Sequence, residues 1–487
     1  MGVTQNSAVA PIVPGFHPDP TICRVGDDYY LATSSFEYFP GVPLFHSTDL
    51  VTWTQIGNIL TTREQFVEGG ARPSGGLWAG TLRHHDGLFY YITTNVSDFD
   101  AGQIIVTATD PRGPWSAPVH LPDVIGIDPD ICWDDDGRCL VTWHRFTWAV
   151  GGIDVHQVPI DPVTGETLSD SYPVWQGSGM PAAEGPHLYR IGDWWYLMFA
   201  EGGTEKGHCV TVARAPRPEG PYEGYSANPI LTRRSTFTPV QNTGHADLVQ
   251  TPAGDWAAVY LGVRPAGSTP SYHVLGREAF LSGIDWVDGW PVFVTDRYEI
   301  PQGRTAFVDD FSTDALDPRW VVPSGDIAEI VVDPGRGAAI PAGGRLCVRV
   351  ADLAWEAEAE IIGDGALEVR IEARHAYRIE RIGGDIRAVV VIAGRSQVLA
   401  SVAAPAASAS AVLRLRAIAP DEPSVPRGDA GPDMIVFDAQ IDSAWVELDR
   451  FDGRYISTEV ASGFTGRVLA VGGEAPTLVR RFSYRSI

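Results

Sequence analysis

The sequence predicts an all-β protein in which a five-bladed β-propeller is followed by a β-sandwich. Three observations predict this fold class. Turn-forming Gly (52 residues) and Pro (37) accompany many strand-favouring Trp (15), Tyr (16) and Phe (18) residues. A tight turn followed by an aromatic strand recurs five times in the first 265 residues. Beyond residue 300 the chain still alternates apolar and polar residues but loses that recurrence.

The recurring element is a Gly/Asp turn followed by an alternating strand. The five copies start at Gly26, Asp86, Asp136, Gly192 and Gly254, at spacings of 60, 50, 56 and 62 residues. A Gly-Asp or Asp-Gly pair between two short apolar strands is a strong hairpin signal. All-β units of this length, five in number, predict a five-bladed propeller, with two β-sandwiches as the alternative.

The blade rhythm ends near residue 300. The stretch YEIPQGRTAFVDDFSTDALDPRW is rich in turn residues and acids, and alternating segments such as RLCVRV and ALEVRIEAR follow it. We therefore predict a propeller over residues 1–305 and a two-sheet sandwich over 306–487. We also expect the sandwich to pack against the propeller and to shape one side of its pocket.

Charge and composition exclude several classes of partner. The formal net charge is −25, which repels nucleic acid and anionic lipid and favours a neutral, polar substrate. The sequence contains no apolar run of membrane-spanning length and no secretory signal pattern at its N-terminus. Its five scattered cysteines show no C-x-x-C spacing. These observations predict a reduced, cytoplasmic protein without a zinc site.

Three acids precede the turns at a similar offset. Asp19 lies seven residues before its turn, and Asp128 and Glu184 lie eight residues before theirs. In the other two repeats this offset falls on Trp78 and next to His245. The first strand of each propeller blade lines the central channel, so residues at one offset lie at one height around the axis. We therefore expect these five side chains to converge on one pocket.

Converging carboxylates indicate acid/base catalysis or metal binding, because like charges raise each other's pKa. A single Asp beside Pro and Gly is more often a turn or cap residue, but three acids in one register weaken that interpretation. Asp130 is the alternative to Asp128, since it lies two residues further along the same strand and faces the same side.

Five stretches resemble glycoside hydrolase family 43 in order and spacing. They are GFHPDPTICRVGDDYYLATSSFEYFPGVPLFHSTDLVTW, IDPDICWDDDG, AEGPHLYRIGDWWYLMFAEGGT, TGHADLVQ, and LGREAF followed by DGWPVF. The C-terminal part is similar, more weakly, to the concanavalin-like sandwich of the family's β-xylosidases and α-L-arabinofuranosidases. The resemblance implies an inverting glycosidase with three catalytic acids.

The matching motifs imply a role for each acid. Asp19, in HPDP, corresponds to the general base that deprotonates water. Glu184, in EGPHLY, corresponds to the general acid that protonates the leaving oxygen. Asp128, in IDPD, corresponds to the residue that raises the pKa of the acid and orients it.

The same resemblance implies four substrate-binding residues. Phe36 and Trp78 correspond to aromatic walls of the sugar subsite, and each has packing in the core as its alternative. His245 corresponds to a histidine at the channel axis, where a core role, a sugar contact or an ion ligand stay open. Arg277, in LGRE, corresponds to a substrate-binding arginine, with an ordinary ion pair as its alternative. The role of Phe464, in GFTG, stays open.

The function expected from this resemblance is an exo-acting, inverting hydrolase. It releases β-D-xylose, α-L-arabinofuranose or both from short xylan or arabinoxylan oligosaccharides. An arabinan- or galactan-directed glycosidase and a non-catalytic sugar-binding propeller are the alternatives. We expect an oligosaccharide substrate and no nucleic-acid or membrane partner. No cofactor is expected to be required; a structural calcium in the channel and a homo-oligomer stay open.

Overall fold

The computed structural model describes residues 10–67, 72–146, 153–301, 305–404, 410–420 and 429–487. Nearly all regular structure in these residues is β. The exceptions are the short helical segments Val96–Ala101, Ile327–Glu329, Gly453–Ile456 and Thr458–Ala461. Within the described residues, none of the helices has the length and apolar character needed to cross a membrane.

The chain divides into two compact units. Unit 1 contains the described parts of Met1–Val13, His17–Val263 and Glu278–Pro301. Unit 2 contains Pro14–Phe16, Arg264–Arg277 and the described parts of Gln302–Ile487. Two short stretches of the range predicted for the propeller therefore group with unit 2, and the domain division at residue 305 stays a prediction.

The described residues of unit 1 form five antiparallel sheets that follow one another along the chain. Sheet 1 contains β1 (Thr21–Val25), β2 (Asp28–Ala32), β3 (Gly41–Ser47) and β4 (Thr54–Leu60); sheet 2 contains β5 (Leu77–His85), β6 (Leu88–Asn95), β7 (Gln103–Ala108) and β8 (Val119–Leu121). Sheet 3 contains β9 (Ile127–Trp133), β10 (Cys139–Phe146), β11 (Ile153–Ile160) and β12 (Tyr172–Trp175). Sheet 4 contains β13 (Glu184–Ile191), β14 (Trp194–Glu201), β15 (Cys209–Ala215), β16 (Glu223–Gly224) and β17 (Leu231–Thr232); sheet 5 contains β18 (Gln241–Gln250), β19 (Trp256–Val263), β20 (Glu278–Val287) and β21 (Trp290–Val294).

Each of the five turns singled out in the sequence joins the first and second strand of one sheet. The turn between β5 and β6 shows why these residues form it. Asp86 (φ 48°) and Gly87 (φ 80°) both have positive φ, and this pair of values is what the tight turns that match strand twist require. Asp and Gly adopt positive φ at low cost, so the hairpin is specified locally.

The first strands of the five sheets contact one another in chain order. β1 contacts β5, β5 contacts β9, β9 contacts β13, β13 contacts β18, and β18 contacts β1. Apolar cores fill the space between neighbouring sheets. In one of them Ile22, Leu31 and Phe45 of sheet 1 pack with Val259 and Leu281 of sheet 5. The last sheet of unit 1 is thus packed against the first.

Unit 2 contains two large antiparallel sheets in the described residues. One holds β22 (Ala306–Asp309), β23 (Val331–Asp333), β24 (Gly337–Ile340), β26 (Trp355–Ile362), β31 (Ser410–Ile418), β32 (Met434–Ile441), β33 (Ala444–Asp452) and β35 (Thr477–Ser486). The other holds β25 (Arg345–Arg349), β27 (Gly365–Glu372), β28 (His375–Ile382), β29 (Asp385–Ile392), β30 (Arg395–Ala403) and β34 (Val468–Gly472). The sheets contact each other through β27 and β28 on one side and β31 on the other. Alternate residues of β26 and β31, such as Ala357 and Leu413, are fully buried.

Candidate active site

A one-residue bulge recurs in the first strands of unit 1. In β5, Leu77 and Gly80 pair with Asn95 and Thr93, so three steps on one strand match two on its partner. The same mismatch lies at residues 127–130 of β9, 184–187 of β13 and 244–247 of β18. Just before β1, the N–H of Ser34 donates to the carbonyl of Pro18 (3.1 Å), and Thr21 pairs with Ala32. Three steps along one segment again match two along the other. Bulges re-aim side chains, and they are frequent at active sites.

The bulges, with the equivalent spacing before β1, hold five of the predicted site residues, with a difference in register: Asp19, Trp78, Asp128, Glu184 and His245. Asp19 (φ 54°), Asp128 (φ 55°) and His245 (φ 48°) all have a left-handed backbone. In β13 the equivalent left-handed residue is Gly185 (φ 58°), so Glu184 lies one position earlier than the other acids. Counting from the hairpin turns therefore places the acids in the bulge segments, but the extra bulge residue decides their register.

Asp128 lies next to the segment that carries Glu184. The N–H of Gly185 donates to Oδ2 of Asp128 (3.1 Å), which joins β9 to the start of β13. Asp128 is buried, whereas Glu184 is partly exposed. His144 contacts the carbonyl of Ala183, the residue before Glu184. The position of the Glu184 backbone is therefore set by contacts from sheet 3.

Asp19 lies near Nδ1 of His245, whereas Gly185 lies near Nε2 of the same ring. Its Oδ2 accepts a hydrogen bond from Oγ of Ser34 (2.7 Å), and its Oδ1 lies 3.7 Å from Nδ1 of His245. A Cβ atom added to Gly185 would lie 2.7 Å from Nε2 of His245, so the imidazole occupies the space beside that glycine. His245 thus lies between Asp19 and the strand of Glu184. Asp19, Glu184 and His245 all belong to unit 1.

Phe36 and Trp78 lie beside each other. Their ring centroids are 6.2 Å apart, with an angle of 55° between the rings. The N–H of Phe36 donates to the carbonyl of Leu77 (2.9 Å), which fixes the segment against β5. Nε1 of Trp78 donates to the carbonyl of Ser74 (3.0 Å). Phe36 is buried and Trp78 is partly exposed, so Trp78 has the more accessible ring.

Arg277 belongs to unit 2. Its guanidinium carbon lies 5.7 Å from the ring centroid of Phe464, within the range of a cation–π contact. A Cβ atom at the preceding Gly276 would lie 2.9 Å from the backbone nitrogen of Gly466. These contacts join the LGRE and GFTG segments. The sugar contact of Arg277 stays a prediction.

A buried ionic layer, formed by Arg83, Asp130, His187, Tyr189 and Asp247, lies further along the first strands than the bulge acids. Arg83 of β5 forms ion pairs with Asp247 of β18 (2.8 Å) and with Asp130 of β9 (3.0 Å), and both carboxylates are fully buried. His187 of β13 lies 3.3 Å from Asp130, and Oη of Tyr189 donates to Asp247 (2.6 Å). Oγ1 of Thr21 in β1 also donates to Asp247 (2.8 Å), so all five sheets are joined through charged or polar side chains.

Asp128 and Asp130 differ in their contacts. Asp130 pairs with Arg83 and accepts the N–H of Leu188 (2.9 Å), so its carboxylate is engaged inside the fold. Burial by itself raises the pKa of Asp247, but the charges of Arg83 and His187 hold that pKa well below its usual range. Of these two acids, Asp128 is the one that accepts a hydrogen bond from the residue after Glu184, and its action on Glu184 stays a prediction.

Sequence reasoning missed Ser34, Arg83 and Asp247. Asp247 lies two residues after His245, as Asp130 lies two after Asp128, so strand alternation was a usable signal for it. Nothing in the local sequence distinguishes Arg83 from a surface arginine. Among the residues that the structure describes, no group of three or more His, Cys, Asp or Glu side chains is arranged to hold a metal ion.

Comparison with known proteins places the chain in a family. A xylosidase/arabinosidase of Butyrivibrio fibrisolvens is 42% identical over 319 residues, which cover 62% of this chain and 60% of the relative. A non-reducing-end α-L-arabinofuranosidase of Bacteroides ovatus is 43% identical over 295 residues, which cover 60% of this chain and 54% of the relative. The chain therefore spans little more than half the length of these curated relatives.

Solved structures match over nearly the whole chain. A Bacteroides ovatus structure from a xyloglucan locus has a TM-score of 0.85 and 30% identity, covering 99% of this chain and 100% of that one. A xylan β-1,4-xylosidase from Bacillus halodurans has a TM-score of 0.86 and 27% identity, covering 98% and 100%. The model of glycosyl hydrolases family 43 matches residues 8–291, more than half of the sequence. The chain belongs to glycosyl hydrolases family 43.

Proposed function

We propose that this protein is an exo-acting, inverting glycosidase. It releases β-D-xylose, α-L-arabinofuranose or both from the non-reducing ends or branches of short xylan or arabinoxylan oligosaccharides. One observation carries the proposal: Asp128 and Glu184 stand at the bulges of β9 and β13, and Asp19 stands at the equivalent spacing just before β1. Asp128 also accepts a hydrogen bond from the N–H of the residue after Glu184. The names of the related xylosidases and arabinofuranosidases support the substrate class.

The five-sheet arrangement supports a propeller. We propose that each sheet of unit 1 is a blade, because the first strands contact in a cycle that returns from β18 to β1. The two large contacting sheets of unit 2 support a sandwich. On this proposal the bulges of all five blades face one end of a central channel, where a sugar ring would bind.

Asp19 and Glu184 each carry out one proton transfer. Ionised Asp19 takes a proton from water as the water oxygen bonds to the anomeric carbon. The bond from that carbon to the glycosidic oxygen breaks, and Glu184 gives its proton to the departing oxygen. Ionised Asp128 keeps Glu184 protonated until that moment, because a neighbouring negative charge disfavours a second one. The released sugar has inverted anomeric configuration, and solvent restores both acids to their starting state.

Paired substrates and conservative variants test the proposal. The purified protein is assayed on nitrophenyl β-xyloside, nitrophenyl α-L-arabinofuranoside and xylobiose, and proton NMR records the anomer first released. Asp19→Asn and Glu184→Gln are each expected to lower kcat by several orders of magnitude on xylobiose. Glu184→Gln is expected to retain more activity on nitrophenyl substrates, whose leaving group needs little protonation.

Asp86→Asn is the matched control, because this turn acid is 91% exposed and asparagine tolerates its positive φ. It is expected to behave as the unmodified protein. Near-normal xylobiose turnover in either acid variant, or a first product with retained configuration, would contradict the proposed mechanism. Binding of xylo-oligosaccharides without any turnover would instead favour a non-catalytic sugar-binding protein.

A further inference from the structure

Phe237 is the most exposed large hydrophobic residue in the described part of the chain. Its relative accessibility is 108%, so none of its ring is covered. It lies in the link 233–240, between β17 and β18 of unit 1. An aromatic ring held entirely in water gains nothing from its own fold, and it offers its whole apolar surface to a ligand.

Hydrogen bonds hold this link in one shape. Nε2 of Gln241 donates to the carbonyls of Thr238 (2.8 Å) and Thr236 (3.2 Å), on either side of Phe237. Oγ1 of Thr236 donates to the carbonyl of Arg233 (2.6 Å). The side chain of Arg233 donates to Oγ1 of Thr295, which directly follows β21 of sheet 5 (2.9 Å). The ring is therefore presented from an organised turn, which lowers the entropy cost of binding.

The link lies at the end of the sheets where the acids stand. It leads directly into β18, whose bulge carries His245, and that imidazole lies against Gly185 at the start of β13. Arg234 contacts Sδ of Met180 (3.2 Å), in the segment that leads into Glu184. Phe237 is thus carried by a loop that neighbours the approach to the proposed general acid.

We propose that Phe237 is a stacking platform for the leaving-group sugar, a xylopyranose ring one residue inward from the non-reducing end. The inference rests on the proposed function, in which Glu184 protonates the oxygen of the leaving group. The leaving sugar then lies on the Glu184 side of the site. A pyranose presents a flat face of C–H groups, and an aromatic ring covers such a face well. Phe237 acts as a specificity-determining residue and takes no part in the proton transfers.

Two substrates with similar leaving oxygens distinguish a binding role of Phe237 from a role in the proton transfers. Xylobiose has a pyranose leaving group, whereas methyl β-D-xylopyranoside has the same glycone and no leaving ring. Phe237→Ala is expected to lower kcat/KM on xylobiose about tenfold, mainly through KM, and to change methyl xyloside hydrolysis less than about twofold. Phe237→Tyr is expected to restore most of the xylobiose activity, because it keeps the ring.

Leu168→Ala is the matched control. Leu168 is 58% exposed but lies in the link between β11 and β12, at the opposite end of the sheets from the bulges. It is expected to leave both substrates unchanged. Unchanged xylobiose kinetics in Phe237→Ala, or an equal loss on both substrates, would overturn the inference while leaving the proposed function intact.

Size-exclusion chromatography of Phe237→Ala completes the test. The variant is expected to elute as the unmodified protein does. A change in its oligomeric state would assign the ring to a contact between copies of this chain and would overturn the platform. Failure of the unmodified protein to cleave xylobiose, methyl xyloside and nitrophenyl α-L-arabinofuranoside alike would refute the proposed function itself, and the inference with it. Cleavage of the arabinofuranoside alone would overturn the inference and leave the proposed function intact.

Discussion

Replacing Arg83 with methionine tests how the interior of unit 1 is stabilised. The guanidinium pairs with Asp247 at 2.8 Å and with Asp130 at 3.0 Å, and both carboxylates are fully buried. Methionine keeps much of the side-chain volume and removes the charge. Two buried carboxylates then lose their counter-ion. Breaking a buried pair from one side costs roughly 3–5 kcal/mol, because the remaining charge stays out of water.

The hydrogen bonds that remain place the expected loss at the lower end of that range. Asp247 still accepts from Oγ1 of Thr21 (2.8 Å), the N–H of Ile22 (2.9 Å) and Oη of Tyr189 (2.6 Å). We therefore expect Arg83→Met to lower the free energy of unfolding of unit 1 by about 3 kcal/mol at pH 7. Urea unfolding followed by tryptophan fluorescence measures it, with the transition of each unit fitted separately.

The pH dependence of this loss has a definite sign. In the unmodified protein the pKa of Asp247 is held below its usual 3.8, so its contribution is present above pH 4 and is lost as the pH falls through the lowered value. Without Arg83, burial raises the pKa of Asp247, and acid neutralises its carboxylate at a milder pH. The stability difference between variant and unmodified protein should therefore shrink between pH 7 and pH 5.

Arg190→Met is the control, because Arg190 and its partner Asp135, at 3.1 Å, have side chains that are 35% and 65% exposed, respectively. It should cost at most about 1 kcal/mol at any pH in this range. The triple variant Arg83→Met, Asp130→Asn, Asp247→Asn should recover part of the loss. A loss in Arg83→Met below about 1 kcal/mol, or one that does not diminish on acidification, would refute the claim that Arg83 neutralises two buried charges.

Three further outcomes are expected. Ser34→Ala removes the hydrogen bond that orients the Asp19 carboxylate (2.7 Å), so kcat on xylobiose should fall about tenfold, with Ser34→Thr as the control that keeps a hydroxyl. Asp128→Asn removes a negative charge beside the Glu184 segment, so the alkaline limb of the pH–rate profile should move to lower pH. Gly80→Ala would put a Cβ atom 2.4 Å from a backbone carbonyl oxygen, so the protein should lose about 1–3 kcal/mol of stability in thermal unfolding; an unchanged midpoint would contradict the close packing of β5 on β6.

Local patterns in the sequence predicted much of unit 1. Each Gly/Asp turn specifies a hairpin through residues that adopt positive φ cheaply, as Asp86 and Gly87 show. Alternation specified the strands of both units, and the motifs around Asp19, Asp128 and Glu184 indicated family 43, which the comparisons confirmed. The all-β class is confirmed as well. These features are predictable because turn chemistry and side-chain alternation act over only a few residues.

The register of the candidate site and its buried polar contacts depend on strands that are far apart in the sequence. The bulge that sets Glu184 one position before its counterparts appears when β13 is paired with β14, since only a partner strand defines a mismatch. Arg83 meets Asp247 across 164 residues of sequence, and Asp130 across 47. An arginine's local sequence is the same whether its guanidinium ends in solvent or between two buried carboxylates. Short motifs were enough to nominate candidate site residues, whereas the contacts among them form only after distant strands have come together in five packed sheets.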